Sequence, residues 1–138
     1  MKLITAALVV IALLNLVFIH SLDAQSLYNS RVVSAQRYLR PLVSSAPQWV
    51  KNVLPKHCGV VVTLENGQRW LVHKGNEYGQ ASQTVVVSTS SMTGAWSAGE
   101  YKMVRSSTVA DYVRTGGPNY NLVFDNCIHA CNRMMRLP

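Results

Sequence analysis

The strongest constraint on the fold is a β-hairpin signal in the middle of the chain. Two β-prone runs, Cys58–Glu65 and Gln68–Lys74, are separated only by Asn66 and Gly67. Asn-Gly between two such runs is typical of a tight hairpin, because both residues accept the positive φ of a type I′ turn. The sequence therefore predicts an antiparallel hairpin over Gly59–Lys74, with cross-strand partners whose residue numbers sum to about 133.

Two further β-rich runs follow the hairpin. Thr84–Ser88 is rich in valine, and Tyr101–Arg105 carries a weaker signal. Both are expected to extend the sheet that the hairpin begins. Together with the helical segments described below, they predict the α+β class, with a mostly antiparallel sheet packed against helices.

Two helices are predicted near the C-terminus. The first begins after Ser106–Thr108, which supply capping hydroxyls, and ends at Gly116–Pro118. The second follows Asp125, which is a good N-cap residue and would put Cys127 at the second position. Cys131 then lies one turn further along on the same face of the helix.

The N-terminus has the layout of a secretory signal. Lys2 precedes an uncharged apolar run over residues 3–19, and small and polar residues follow. Cleavage is expected after Ala24, with Ser21 as an alternative, so residues 1–24 form the signal peptide. An uncleaved membrane anchor is the alternative, because about 17 apolar residues lie at the lower limit for spanning a bilayer. Both a cleaved signal peptide and an uncleaved anchor predict a secreted or extracytoplasmic location for the domain.

The remaining chain is divided into two parts. Residues 25–54 have apolar side chains near helical spacing, interrupted by Pro41 and Pro47, and are predicted to form an N-terminal helical segment. Residues 55–138 are predicted to form the globular core, and the cysteine and histidine residues within it make a catalytic core the expectation. After signal removal about 114 residues remain, which is enough for one α+β domain of this size.

Composition and charge narrow the function classes. Hydrophobic residues make up 49% of the chain and charged residues 14%, which excludes a disordered polypeptide. The formal net charge is +7, so a negatively charged partner is expected, such as an anionic membrane surface or an envelope polymer. The basic residues are scattered and do not alternate with aromatic ones, which disfavours nucleic acid as a partner. Three cysteines are too few for a disulfide scaffold.

Three residues could form a nucleophilic site. A thiol at the start of a helix is favoured as a thiolate, so Cys127 is the candidate nucleophile. His57 at the start of the first hairpin strand and His73 on the second strand are expected to come near each other, although not directly opposite. Such a nucleophile needs a base, and the base needs an orienting partner.

These residues also carry a family resemblance. The chain reads Lys56-His57-Cys58-Gly59-Val60, then Leu71-Val72-His73, then Asn126-Cys127-Ile128-His129-Ala130. In order and context these motifs resemble the NlpC/P60 superfamily, which has a circularly permuted papain-like fold, and within it the lecithin:retinol acyltransferase-like branch. The resemblance covers roughly residues 55–135 and implies Cys127 as nucleophile, His57 as general base and His73 as the residue that orients the imidazole.

The chain departs from the pattern of that family at three positions. Ile128 stands where the family has Glu, Ala130 where it has Phe, and Cys58 where an aromatic residue commonly follows the first His. The resemblance implies a hydrolase or acyltransferase that forms an acyl-thioester on a lipid ester or an amide. The implied substrate is a phospholipid in the narrower branch and a peptidoglycan-type amide in the wider superfamily.

A second reading treats the chain as a basic, secreted binding module on the same fold, with structural or disulfide-bonded cysteines. A Cys58–Cys131 disulfide would leave Cys127 free. Strand alternation opposes it, because His57 and Cys58 point to opposite faces while Cys127 and Cys131 share a helix face. If His57 reaches Cys127, Cys58 is not expected to reach Cys131. His129 is read as a packing or capping residue, and no metal or cofactor is expected.

Overall fold

The computed structural model describes residues 2–42, 45–53 and 55–138, with side chains except those of residues 2, 3 and 15–22. The chain is of the α+β class, as the sequence predicted. The helices are α1 (Lys2–Asn29), α2 (Gln48–Val53), α3 (Val109–Gly116) and α4 (Cys127–Met134). The strands are β1 (Val32–Pro41), β2 (Lys56–Leu64), β3 (Arg69–Lys74), β4 (Thr84–Ser88) and β5 (Ser97–Met103). They form one antiparallel sheet in the order β4-β3-β2-β1-β5.

The predicted hairpin is confirmed, and it is formed by β2 and β3. Gly59 lies opposite His73, so the residue numbers of cross-strand partners sum to 132, one less than expected. The predicted type I′ turn is wrong. Such a turn needs a positive φ at two residues, but within this loop Gly67 alone has one, at 83°. The Gly67 N–H donates to the Leu64 carbonyl at 2.9 Å, which closes a three-residue loop in place of the two-residue turn.

The prediction of a helical segment over residues 25–54 is wrong in its middle. Residues 32–41 form β1, which is hydrogen-bonded to β2 on one side and β5 on the other. The β-branched Val32 and Val33 begin this strand, and Pro41 ends it. Arg40 has the extended conformation that the residue before a proline prefers. Two flanking strands outweigh the helical spacing of the apolar residues. Among the described residues of this segment, helix is found in the end of α1 and in the short α2.

The other predicted elements are found close to their expected positions. β4 spans the predicted residues, and β5 begins at Ser97, before the predicted Tyr101. Thr108 is the N-cap of α3, and its side chain accepts from the Asp111 N–H in a capping box. β5 belongs to the same sheet, but it pairs with β1 and so occupies the edge far from β4.

The two faces of the sheet have different environments. On one face, α3 and α4 pack against alternate residues of the strands and form the core, which includes Cys58, Val60, Val62, Val72, Tyr112, Cys127, Cys131 and Met134. The other face carries the intervening residues of β2 and β3, among them His57, Val61 and Leu71, which are also buried. We call these the helix face and the open face. The two faces place the predicted site residues in different surroundings.

The described part of α1 has two environments. Its apolar side chains between residues 4 and 14 are exposed, whereas Leu27 packs against the core. The helix runs past Ala24, and cleavage at that position stays a prediction. Among the residues that the structure describes, no helix is long and apolar enough to cross a membrane.

Candidate functional site

Two imidazoles meet on the open face, where β2 and β3 lie side by side. His57 Nε2 lies 3.0 Å from His73 Nδ1, which is hydrogen-bond distance. His73 is opposite Gly59, and His57 lies two residues before Gly59 in β2, so its side chain is on the same face. The predicted proximity of the two histidines is therefore confirmed. His57 is only 3% exposed, so the hydrogen bond is shielded from water on the His57 side.

Aromatic rings surround the imidazole pair. The ring centroid of Tyr78 lies 5.9 Å from that of His57 and 4.9 Å from that of His73. Trp96 lies 5.5 Å and 6.4 Å from the same two rings, and the Arg40 guanidinium stands 5.2 Å from the Trp96 ring centre. Sequence reasoning missed Tyr78, Trp96 and Arg40 as members of this site, because no local motif marks them.

Gly59 makes room for this arrangement. A Cβ at residue 59 would lie 2.6 Å from Leu71 Cδ1 and 3.2 Å from His73 Cβ, with Trp96 next at 3.5 Å. A larger residue would push apart the side chains that hold the imidazoles in place. Gly59 thus serves close packing, since its φ is not positive.

Burial and positive charge keep both imidazoles neutral. Burial, and to a lesser extent the neighbouring His73 and Arg40, together lower the pKa of His57 to about 4. Burial lowers the pKa of His73 to about 4 as well, again with a contribution from Arg40. At pH 7 the pair therefore shares one N–H between two ring nitrogens. If His57 Nε2 donates, its Nδ1 is left as a free proton acceptor.

These lowered pKa values predict a specific dependence of stability on pH. In the unfolded chain both histidines take up protons near pH 6.5, whereas in the folded protein they do so only near pH 4. The unfolded state therefore binds more protons in this window, and stability falls as the pH drops through it. We expect the Tm to be at least about 5 °C lower at pH 4.5 than at pH 7. The His57→Gln/His73→Gln double variant should lose most of this difference, and an unchanged difference would contradict the assignment.

Cys127 is the first residue of α4, and Asn126 is the N-cap. The predicted cap at Asp125 is wrong by one residue. The Asn126 side chain accepts from the N–H groups of Ile128 and His129 at 3.0 Å and 3.2 Å. His129 Nδ1 accepts in return from the Asn126 N–H at 3.2 Å. His129 is thus a capping residue, which agrees with the sequence-based interpretation.

The thiol of Cys127 lies at the end of the sheet where β2 begins. Its Sγ is 3.9 Å from the carbonyl oxygen of Lys56, the residue before His57. Cys127 is a free cysteine, 8% exposed, and it belongs to the core on the helix face. The N-terminal position also puts the thiol at the positive end of the helix dipole.

The other two cysteines are bonded to each other. Cys58 and Cys131 form a disulfide between β2 and α4, although strand alternation had argued against this pair. The alternation itself holds: Cys58 points to the helix face, where it meets α4, and His57 points to the open face. The structure therefore brings His57 and His73 together, and it places Cys127 beside the backbone that precedes His57, on the other face. The disulfide is consistent with an extracytoplasmic protein.

No protein-family model, curated protein or solved structure matches the chain. Within the part of the chain that the structure describes, no cluster of three or more His, Cys, Asp or Glu side chains could hold a metal ion. The interpretation of the site therefore depends on its own geometry.

Proposed function

We propose that the chain is an extracytoplasmic, cysteine-dependent hydrolase or acyltransferase with Cys127 as nucleophile. The observation that carries the proposal is the neutral, hydrogen-bonded pair of His57 and His73 at the same end of the sheet as a free cysteine. The family resemblance of the three motifs points to the same chemistry. Residues 1–24 would be the export signal of this enzyme, with the Cys58–Cys131 disulfide suited to its location.

In the first step, the Cys127 thiol gives its proton to His57 Nδ1, while His57 Nε2 donates to His73. The two side chains lie on opposite faces of the sheet, so this step requires one of them to turn towards the start of β2, where Cys127 Sγ lies 3.9 Å from the Lys56 carbonyl oxygen. The Sγ thiolate attacks the carbonyl carbon of an ester or amide, and the carbonyl electrons move to oxygen. The oxyanion collapses, the bond to the leaving group breaks, and His57 returns its proton to that group. Water or an acyl acceptor then attacks the resulting thioester and restores the thiol.

The N–H groups at the start of α4 define what could hold the oxyanion. Those of Ile128 and His129 already donate to the Asn126 side chain. The Cys127 N–H has no acceptor among the described residues, so it is the helix donor that remains for the oxyanion.

The proposal predicts how Cys127 reacts with iodoacetamide. In the folded, oxidised protein we expect alkylation at Cys127 alone, because the other two cysteines are bonded. His57→Gln should slow the reaction by about tenfold or more, since it removes the base. Mass spectrometry of quenched time points measures both rates. The control is the same reaction in denaturant, where the parent protein and the variant should react equally.

An inert Cys127 in the folded protein, or equal rates in the parent protein and His57→Gln, would contradict the proposal. Substrate class is tested by measuring acyl release from phospholipid vesicles beside cleavage of muropeptides. Cys127→Ser is the control in both assays.

The second candidate function is a non-catalytic, basic binding module. It is favoured by the position of His57 on the open face while Cys127 lies in the core of the helix face. In that case the imidazole pair would be structural and the thiol unreactive. The alkylation experiment separates the two functions, because only the enzyme needs the coupling of Cys127 to His57.

A further inference from the structure

A basic cavity of about 350 Å³ lies at the end of β1 and the start of β2, where its lining residue Lys56 directly precedes His57. Its walls are the end of β1, the helix α2, the first residue of β2 and the segment from Ala95 into β5. Three of its lining side chains are cations: Arg40, Lys51 and Lys56. The cavity thus gathers three positive charges from three separate elements of the chain.

These cations have no acidic partner among the described residues. The Glu100 carboxylate follows the cavity-lining Gly99, but it pairs with Arg37 at 3.4 Å. The other ion pairs of the described chain also involve different cations. Arg40 makes its contact with the face of Trp96 instead, at 5.2 Å. Three like charges around one cavity repel each other, and an anion in the cavity would remove that repulsion.

The cavity also offers a neutral hydrogen-bond donor. Asn52 lines it, and its side-chain oxygen accepts from Gln48 Nε2 at 3.1 Å. The Asn52 Nδ2 group is left as a donor. A cavity with three cations and an amide donor but no carboxylate suits an anion with several acceptor oxygens.

We propose that this cavity binds a phosphate-type anion, held by Arg40, Lys51, Lys56 and the Asn52 amide. A phosphate monoester carries about −1.5 to −2 charges and three acceptor oxygens, which matches three cations better than a carboxylate does. Arg40 also lines a second cavity of about 330 Å³, together with His73 and Trp96. The organic part of the ligand would extend from the phosphate into that second cavity. The identification of this ligand as a substrate, but not its binding, depends on the proposed function.

Arg40 also connects the cavity with the imidazole pair. Its positive charge contributes to the lowered pKa of both His57 and His73. A phosphate bound to Arg40 would therefore weaken this effect. The anion site and the imidazole pair are coupled through this one side chain.

The test is a titration of the protein with inorganic phosphate at constant ionic strength, followed by amide NMR shifts. We expect saturable shifts in the amides of residues 51–53 and 56–57, and a Kd at least tenfold higher for the Lys51→Gln/Lys56→Gln variant. The control is Arg105→Gln/Arg136→Gln, which removes the same charge from two exposed residues. Arg105 lies far from the cavity: its carbonyl oxygen accepts from Arg31, just before the start of β1, whereas the cavity residue Arg40 lies at the other end of that strand. This control should keep the Kd of the parent protein within about twofold. Equal weakening in both variants, or shifts that never saturate, would overturn the proposal.

The source of the phosphate is distinguished by a second arm. Phosphatidylcholine vesicles with and without phosphatidic acid are added to the phosphate-loaded protein. If only vesicles with phosphatidic acid displace the phosphate, the ligand is a lipid headgroup; if neither does, it is a soluble phosphate ester. Cys127→Ser should bind phosphate like the parent protein, so failure of catalysis and failure of the anion site give different results.

Discussion

Replacing both Cys58 and Cys131 by alanine should lower the free energy of unfolding by about 4 kcal/mol. The disulfide joins residues 73 positions apart, so it closes a long loop in the unfolded chain. The loop-entropy relation gives about 4 kcal/mol for a loop of this length. For a domain of this size that corresponds to a Tm lower by about 15 °C. Urea denaturation of the parent protein and the double variant measures the difference.

Two controls make this prediction specific. Cys127→Ala removes a buried thiol without breaking a bond, and should cost only about 1 kcal/mol. Adding a reductant should bring the parent protein to the stability of the double variant and leave the double variant unchanged. A denaturation midpoint of the parent protein that does not respond to reductant would show that the bond contributes nothing.

The elements that the sequence predicted correctly depend on local chemistry. The hairpin follows from Asn66-Gly67 between two β-prone runs, and α3 follows from Thr108 and Asp111 in a capping box. β1 could not be found in this way. It is a strand because β2 and β5 both pair with it, and β5 is more than fifty residues further along the chain. Pairing over such distances leaves little trace in the local pattern.

The candidate site likewise has parts that the sequence predicted and parts that it did not. The register of the hairpin predicted that His57 and His73 would meet, and the structure shows them 3.0 Å apart. The positions of Tyr78, Trp96 and Arg40 depend on how later segments return to the open face, which no motif encodes. Strand alternation was the right principle for Cys58 and His57. The sequence alone could not show which of the two residues faces α4.

The N-terminal end of α4 is held by a cluster of charged side chains around the buried Lys74. Lys74 is fully buried, and its Nζ lies 2.8 Å from Asp125 Oδ1 and 2.9 Å from the Gly116 carbonyl oxygen. Arg133 also donates to Asp125 Oδ1 at 2.8 Å and to the Gly116 carbonyl at 2.8 Å. This cluster ties β3, the end of α3 and α4 together, immediately before the Asn126 cap.

The contacts of this cluster predict that replacing Asp125 and replacing Lys74 have different effects on stability. Asp125→Ala leaves the buried Lys74 ammonium with only the Gly116 carbonyl, and should cost about 3–5 kcal/mol. Lys74→Met removes the buried charge and leaves Asp125 paired with Arg133, so about 1 kcal/mol or less is expected. Arg114→Gln breaks an exposed pair with Asp111 and should cost less than about 0.5 kcal/mol. Urea denaturation of the three variants gives these values.

A larger loss for Lys74→Met than for Asp125→Ala would contradict this assignment, because it would mean that Lys74 contributes attraction rather than a burial cost. The loss of Asp125 is also expected to affect the candidate site. Asp125 lies two residues before Cys127, so losing it should disturb the position of the thiol as well as the stability of the fold. Alkylation of Cys127 by iodoacetamide should therefore change more in Asp125→Ala than in Lys74→Met. The buried lysine is tolerated because the aspartate that neutralises it also holds the start of the helix that carries the candidate nucleophile.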